Sequence, residues 1–418
     1  MNALAPLRHA AYRNLTAGRV ISMLGNAMAP IALAFAVLDL TGSARDLGLV
    51  VGARSLTNVV FLLFGGVVAD RFPRQLVMVV SAVLAAATQA GVAVVVLTGS
   101  ATIGLLMVLA AVNGLVSSFA FPAAAAIIAQ TVPEDIRKQA NALSRLGLNA
   151  AMILGASLGG MLVAAVNAGW VIAIDAATFA LGAICFALVR VPAVRESGAR
   201  RESTLHELRV GWTEFVSRTW LWVVVLGFCF LNAAETGGMG VLGPVVADAE
   251  FGRRAWGLIL AAQTTGMVVG AIVAMRIHVR RLLLFGVVSM AGGALLLIAM
   301  AISPHVLVLV PAAFVVGFGI EQFGIAWETS MQEHVPADKL ARVYSYDALG
   351  SFIAIPIGQV AAGPAAEAFG VGPTLLAAAG IVVLSVVGML WSRDVRTLEH
   401  RPIKTPDATT SSEPVVVA

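Results

Sequence analysis

The chain has 418 residues, 59% hydrophobic and 12% charged, with a formal net charge of +4 and a mean hydropathy of +0.91. A soluble domain carries about 25% charged residues, so this composition excludes one. Long apolar runs exclude a β-barrel, whose strands would show as short alternating segments, and no basic cluster with interleaved aromatics points to nucleic acid.

Apolar runs long enough to cross about 30 Å of hydrocarbon predict twelve spans, at 17–39, 46–69, 75–98, 103–129, 141–165, 169–190, 220–245, 255–276, 282–302, 306–331, 343–366 and 371–391. The first lacks a signal-peptide cleavage site. It carries Arg19, Ser22 and Asn26 at i, i+3 and i+7, a single polar stripe. Span 2 holds Arg54 at membrane depth. It runs into Gly65-Gly66-Val67-Val68-Ala69-Asp70-Arg71-Phe72-Pro73-Arg74, a turn so short that spans 2 and 3 must be joined tightly on one side of the bilayer. Charged residues there sit at the water boundary, where a carboxylate between arginines can latch one bundle to another. Span 4 carries Asn113 and Ser117. Span 5 contains Gly155-Ala156-Ser157-Leu158-Gly159-Gly160, whose small residues let helices close on each other, and span 6 carries Asp175.

The central connection is the one long loop. Within it Thr204-x-x-Glu207 reads as a capping box, with Leu205, Leu208, Trp212 and Phe215 on one helical face. That describes a helix on the inner membrane surface, with 191–203 equally readable as a solvated linker. Span 7 carries Asn232 and Glu235. Span 10 carries Glu321 and Glu328, seven apart on one face, with Gln322 beside the first. The tail is polar and is expected to be disordered. The expected organisation is a six-helix bundle at 1–190, a linker at 191–218, a second six-helix bundle at 219–395 and a tail at 396–418.

Of the 27 Lys and Arg residues, 23 fall on the side that holds both termini, and Arg45, Arg253 and Arg254 fall on the other. Basic residues mark the cytoplasmic side, so both termini are expected in the cytoplasm. The halves repeat. A shift of 203 residues lays Val132-Pro133-x-Asp135 on Val335-Pro336-x-Asp338. It also superposes glycines 114/317, 147/350, 155/358, 160/363 and 169/372, where chance predicts about one coincidence. This is a parallel duplication, with the substrate path expected between the halves.

Polar groups inside spans are costly and need a reason. They either line a solvated path or hydrogen-bond neighbouring helices. Arg54 should face protein or water, with Asp175 as an acidic partner; alternatively Asp175 carries a proton, because burial raises the pKa of a carboxylate. Other matches are decoys. Gly155-x-Ser157-x-Gly159 sits inside a membrane helix, not a strand–turn–helix elbow. Gly238-x-Gly240-x-x-Gly243 has no βαβ unit around it. Asn14-Leu15-Thr16 lies on the cytoplasmic side. Cys185 and Cys229, within apolar runs, read as packing residues. No P-loop or metal motif is present, so neither ATP nor a cofactor is expected.

Gly66-x3-Asp70-Arg71-x2-Arg74 resembles the loop 2–3 signature of the major facilitator superfamily, Gly-x3-Asp-Arg-x-Gly-Arg-Arg/Lys, with Pro73 at the second glycine and Gln75 at a basic position. The span 5 stretch is similar to the Gly-Pro-x-x-Gly-Gly motif of its antiporters, with Ala156 at the proline. Val37-Leu38-Asp39-Leu40-Thr41-Gly42-Ser43-Ala44, the entry to span 5 from Val132 to Leu143, and Ile174-Asp175-Ala176-Ala177-Thr178-Phe179 resemble the macrolide-efflux and enterobactin-exporter branch. The resemblance implies an all-α membrane protein of twelve transmembrane helices in two six-helix bundles related by pseudo-twofold symmetry, with spans 1, 4, 7 and 10 lining a central cavity. On that basis the expected cavity residues are Arg19, Asn26, Asn113, Ser117, Asn232, Glu235, Glu321, Gln322 and Glu328. Asp175, Glu235 and Glu321 are expected to couple protons. Gly66, Asp70, Arg71 and Arg74 are expected to gate, and Gly155, Gly159 and Gly160 to form a pivot. The implied activity is proton-coupled export of an amphipathic drug, antibiotic or siderophore by alternating access, carried out by a monomer in the inner membrane of a bacterium, with no enzymatic step. An importer shares the fold and motif; a non-transporting sensor is a further alternative.

Overall fold

Runs of apolar residues that can satisfy their backbone polar groups only internally fold as helices when water is absent. The computed structural model describes residues 5–133, 136–190, 211–276 and 279–400. The helices are α1 Ala10–Thr41, α2 Ala44–Arg71, α3 Arg74–Leu97, α4 Ile103–Thr131, α5 Arg137–Ala165, α6 Ala168–Ala187, α7 Thr219–Phe251, α8 Arg253–Ala274, α9 Leu282–Ile302, α10 Val306–His334, α11 Ala337–Phe352 continuing over Ile355–Phe369, and α12 Val371–Trp391. Ten of these are long and apolar enough to cross a bilayer over described residues alone, and α4 adds an apolar run at Ile103–Phe119. Large apolar side chains such as Leu307, Leu384 and Trp391 are exposed on the outside of the bundle, as a lipid-facing surface requires. The expectations for linker residues 191–210, for the tail beyond 400 and for Glu134 and Asp135 lie outside the described residues, as do the side chains of Asp70 and Arg71 and the surroundings of Gly66.

Three boundaries differ from the sequence reading. The first helix starts at Ala10, well before residue 17. α7 extends to Phe251 through wide π-helical turns at Thr236–Leu242 and Ala247–Phe251. Hydropathy falls at Asp248 and Glu250, which ended the apolar run early, while the backbone remains helical into water. α11 starts at Ala337 and breaks at 353–354, just before Pro356, whose ring cannot continue the ladder unaided.

The two halves pack alike. In the first, α1 packs on α5 and α6, α3 on α4 and α6, and α2 on α4. In the second, α7 packs on α11 and α12, α9 on α10 and α12, and α8 on α10. The paired glycines explain part of this. Gly114 of α4 lies against the Arg54 carbonyl of α2, and Gly317 of α10 against the Gln263 carbonyl of α8. Gly155 of α5 meets the Leu24 carbonyl of α1, and Gly358 of α11 the Ala233 carbonyl of α7. A Cβ at any of these four positions would collide with backbone, so helices approach there only because glycine is present.

Between the halves, α2 packs on α11 and α5 on α8, again an equivalent pair. We call the end where α1 starts and α12 finishes proximal, and the opposite end distal. Gly48 and Gly52 of α2 meet Gln359 and Val360 of α11, Gly363 of α11 meets Arg45, and Gly160 of α5 meets Gly257 of α8. All these approaches lie in the distal half. Arg253 at the start of α8 adds a clasp. It donates to both carboxylate oxygens of Asp39 at the end of α1 and to Asp248 Oδ1 at 2.8 Å, and it covers the Phe35 ring at 4.7 Å. At the proximal end Arg145 of α5 reaches Glu328 of α10 at 3.7 Å, with both side chains solvent-exposed.

Candidate functional site

A cavity of about 630 Å³ lies under the distal seal. Its walls come from all six helices of the first half and from α11 of the second. Arg19, Ser22 and Asn26 of α1 all face it, so the stripe read from the sequence is a cavity wall. Arg54 and Asn58 of α2 and Ser117 of α4 join them. The rest of the lining is largely apolar, including Met23, Leu148, Phe179 and Phe352.

Behind this wall the polar groups form two hydrogen-bonded sets that together draw on five helices. Arg54 donates from Nη2 to Asn26 Oδ1 at 2.8 Å and from Nε to Asn113 Oδ1 at 3.1 Å. Asn113, 2% exposed, donates to Thr88 Oγ1 of α3 at 3.1 Å. The next residue, Gln89, donates to Asp175 Oδ2 of α6. Asp175 is fully buried, and its Oδ1 has no partner among the described residues. Arg54 and Asp175 therefore do not form a direct ion pair: Arg54 is held by Asn26 and Asn113, and Asp175 by Gln89. Gly25 of α1 leaves room for Asp175, since a Cβ there would stand 2.6 Å from Oδ1.

The other expected cavity residues lie on different surfaces. Asn232 Nδ2 donates to the Ser351 carbonyl at 3.0 Å, pinning α7 to α11 just before its break. Gln322 is 4% exposed and donates to the Gly270 carbonyl of α8 at 2.6 Å. Glu321 is half-buried against Gly270. Glu328 forms the proximal bridge to Arg145 and accepts from Gln332. Glu235 points between α7, α9 and α12, against Gly293 and Val382, with no hydrogen-bond partner among the described residues. Asp175 occupies the corresponding place between α1, α3 and α6. Each half thus holds one carboxylate between equivalent helices, contributed by different members of the trio.

Gly155 and Gly159 of the α5 stretch face Leu24, Ala27 and Met28 of α1, whereas Gly160 is the residue that touches α8. Arg74 opens α3 after Pro73. Gln75 Nε2 donates to the carbonyls of Phe186 and Ala187, tying α3 to the end of α6.

Several placed residues were not singled out by sequence. Thr88 and Gln89 complete the two sets. Asp347 of α11 accepts from Trp327 Nε1 at 3.0 Å and Ser351 Oγ at 3.1 Å. An aromatic column, Phe228–Phe323–Trp327–Trp220, fills the space between α7 and α10, with its first rings stacked 4.1 Å apart. A carboxylate or amide on an otherwise apolar helix face was available as a signal for Gln89 and Asp347. Nothing comparable marks the rings.

Twelve membrane helices in two similarly packed halves, with a cavity sealed at one end, define a multi-pass helical membrane transporter. The Major Facilitator Superfamily model matches residues 15–358, and the chain belongs to that family. It is similar to the multidrug efflux pump Tap of Mycolicibacterium fortuitum, 28% identical over 408 residues, covering 93% of this chain and 96% of the relative. It is also similar to macrolide efflux protein A of Streptococcus pyogenes, 20% identical, covering 93% and 97%. Among solved structures, the nucleoside transporter NupG superposes with a TM-score of 0.72 at 14% identity, over 91% of this chain and 98% of that one, a likeness of fold.

Proposed function

We propose that the chain exports a small amphipathic compound from the cytoplasm, driven by protons. The observation that carries this reading is Asp175: a wholly buried carboxylate whose Oδ1 has no hydrogen-bond partner among the described residues and whose Oδ2 accepts from Gln89, next in sequence to the Thr88 that accepts from Asn113, a partner of Arg54. A carboxylate so placed is costly to keep ionised and gains from taking up a proton. Protonation changes the charge balance beside Arg54, and through Asn26 it reaches the cavity wall. The similarity to efflux pumps supports the outward direction of transport. The positive-inside count supports a cytoplasmic proximal end. The cavity then lies on the cytoplasmic side of a closed outer seal, with the exposed Arg145–Glu328 bridge as a thin inner gate.

The test is accumulation in everted membrane vesicles of a panel comprising a macrolide, fluorescein and rhodamine 123. At least one should accumulate, collapse with a protonophore, and be lost in Asp175→Asn at equal membrane expression. Protonophore-insensitive accumulation, or full coupled activity in Asp175→Asn, contradicts the reading.

A further inference from the structure

Among the described residues, the charge lining the cavity is unbalanced. Arg19 and Arg54 both line it, and no aspartate or glutamate is among its described lining residues. The two guanidiniums are not equivalent. Arg54 is engaged by both Asn26 and Asn113. Arg19 donates from Nη1 to Ser144 Oγ at 3.2 Å and has no carboxylate partner among the described residues. Ser144 is 1% exposed and fixes the guanidinium from behind. Most of the N–H donors of Arg19 are thus left for whatever occupies the cavity.

Position sets the geometry of an occupant. Arg19 and Asn26 are seven residues apart on one helix face, so the Arg19 head and the Arg54–Asn26 pair are separated by about two turns, roughly 10 Å along the axis. Apart from neutral Ser22, Ser55, Asn58, Ser81 and Ser117, the rest of the wall is apolar, with Met23, Leu148, Phe179 and Phe352 among its side chains. A cation placed there would lose its hydration next to two like charges in a poorly screened space. An anion would meet a pre-aimed planar donor suited to carboxylate, sulfonate or phenolate oxygen.

We propose that the cavity selects amphipathic anions, with the charged group on Arg19 and the apolar body against the wall toward Arg54. This rests on the cavity being the transport site, and it narrows that reading to a charge class.

Fluorescein and rhodamine 123 share a xanthene body and differ in the sign of their charge. Their binding to the full chain in nanodiscs is measured by fluorescence anisotropy, followed by flux in proteoliposomes. Fluorescein should bind saturably and at least about tenfold more tightly than rhodamine 123. Arg19→Gln should weaken fluorescein about tenfold or more, the scale of a lost charge-assisted contact, and leave rhodamine 123 unchanged or tighter; Arg19→Lys, which keeps the charge without the planar donor, should weaken fluorescein less than Arg19→Gln does. Should Arg19→Gln not fold, the two-dye comparison on the unaltered chain still decides. Equal or tighter rhodamine 123 binding, no fluorescein binding, or unchanged fluorescein affinity in a folded Arg19→Gln overturns the proposal. Fluorescein binding that depends on Arg19 but brings no flux supports the site and overturns the transport reading. Flux of rhodamine 123 with none of fluorescein keeps transport and overturns the charge class.

Discussion

Asp175 has its place because Gly25 gives it room. Replacing that hydrogen by a methyl would drive Cβ into Thr178 Oγ1 and the carboxylate. Overpacking of this kind costs about 1–3 kcal/mol. Gly25→Ala should therefore lower the unfolding temperature in detergent and impair proton-dependent transport together; an unchanged melting curve would show that the site yields. Arg54 was legible in the sequence, because a lone charge in an apolar run demands a partner. Its actual partners were not. Helical periodicity says which face a residue lies on and nothing about which neighbour it meets, so Asp175 looked like a direct partner for Arg54, whereas Arg54 bonds Asn26 and Asn113 and Asp175 bonds Gln89.

At the scale of helices, glycine pairs set how closely elements approach. Gly114→Ala and Gly317→Ala should each destabilise by about 1–3 kcal/mol, because both meet a backbone carbonyl that cannot move aside. Gly388→Ala, where a Cβ would meet open space, should be neutral or stabilising by up to about 1 kcal/mol. Thermal unfolding of the three variants in one detergent is the check. The sequence showed these pairs through the 203-residue shift, since a backbone contact leaves only glycine available.

The short helix over 211–216 that precedes α7 is docked by Glu214, which bonds Lys339 of α11 at 2.8 Å and Arg218. The Lys339 hydrogen bond, with Arg218 assisting, holds the Glu214 carboxyl below its ordinary value. A depressed carboxylate pKa stabilises the folded form above the unfolded value, and that contribution disappears as pH falls through the folded value. Hydrogen-exchange protection over 211–218 should thus be constant near neutrality and fall below about pH 4.3; loss of protection already at pH 6 would contradict it. This contact was hidden in the sequence because charges in a hydrated loop cost nothing and so attract no notice.

Over the whole molecule, the distal seal is thick and the proximal bridge thin. The number of helices, their order and their duplication were readable because each follows from hydropathy and spacing. The asymmetric cavity was not. Family likeness pointed to four equivalent helices, whereas the aromatic column fills the space between α7 and α10, and the lining falls to the first half and α11. The clasp of Asp39, Asp248 and Arg253 was equally invisible, since all three sit at helix ends where water would suit them as well. Asp39→Asn removes a bidentate partner of Arg253 and should raise the fraction of molecules open at the distal end. Distances between spin labels at residues 40 and 369 should report this as a growing long component; an unchanged distribution would assign the clasp no part in closure.

The proposed export cycle requires the halves to rock about the cavity, opening one end as the other closes, and paired electron–electron distances test this most directly. With Cys185 and Cys229 replaced, one variant carries labels at 40 and 369 across the distal end, and another at 146 and 332 across the proximal end. Lowering the pH or adding a transported probe should lengthen one distance and shorten the other. If both stay fixed, or both change in the same sense, the halves do not alternate.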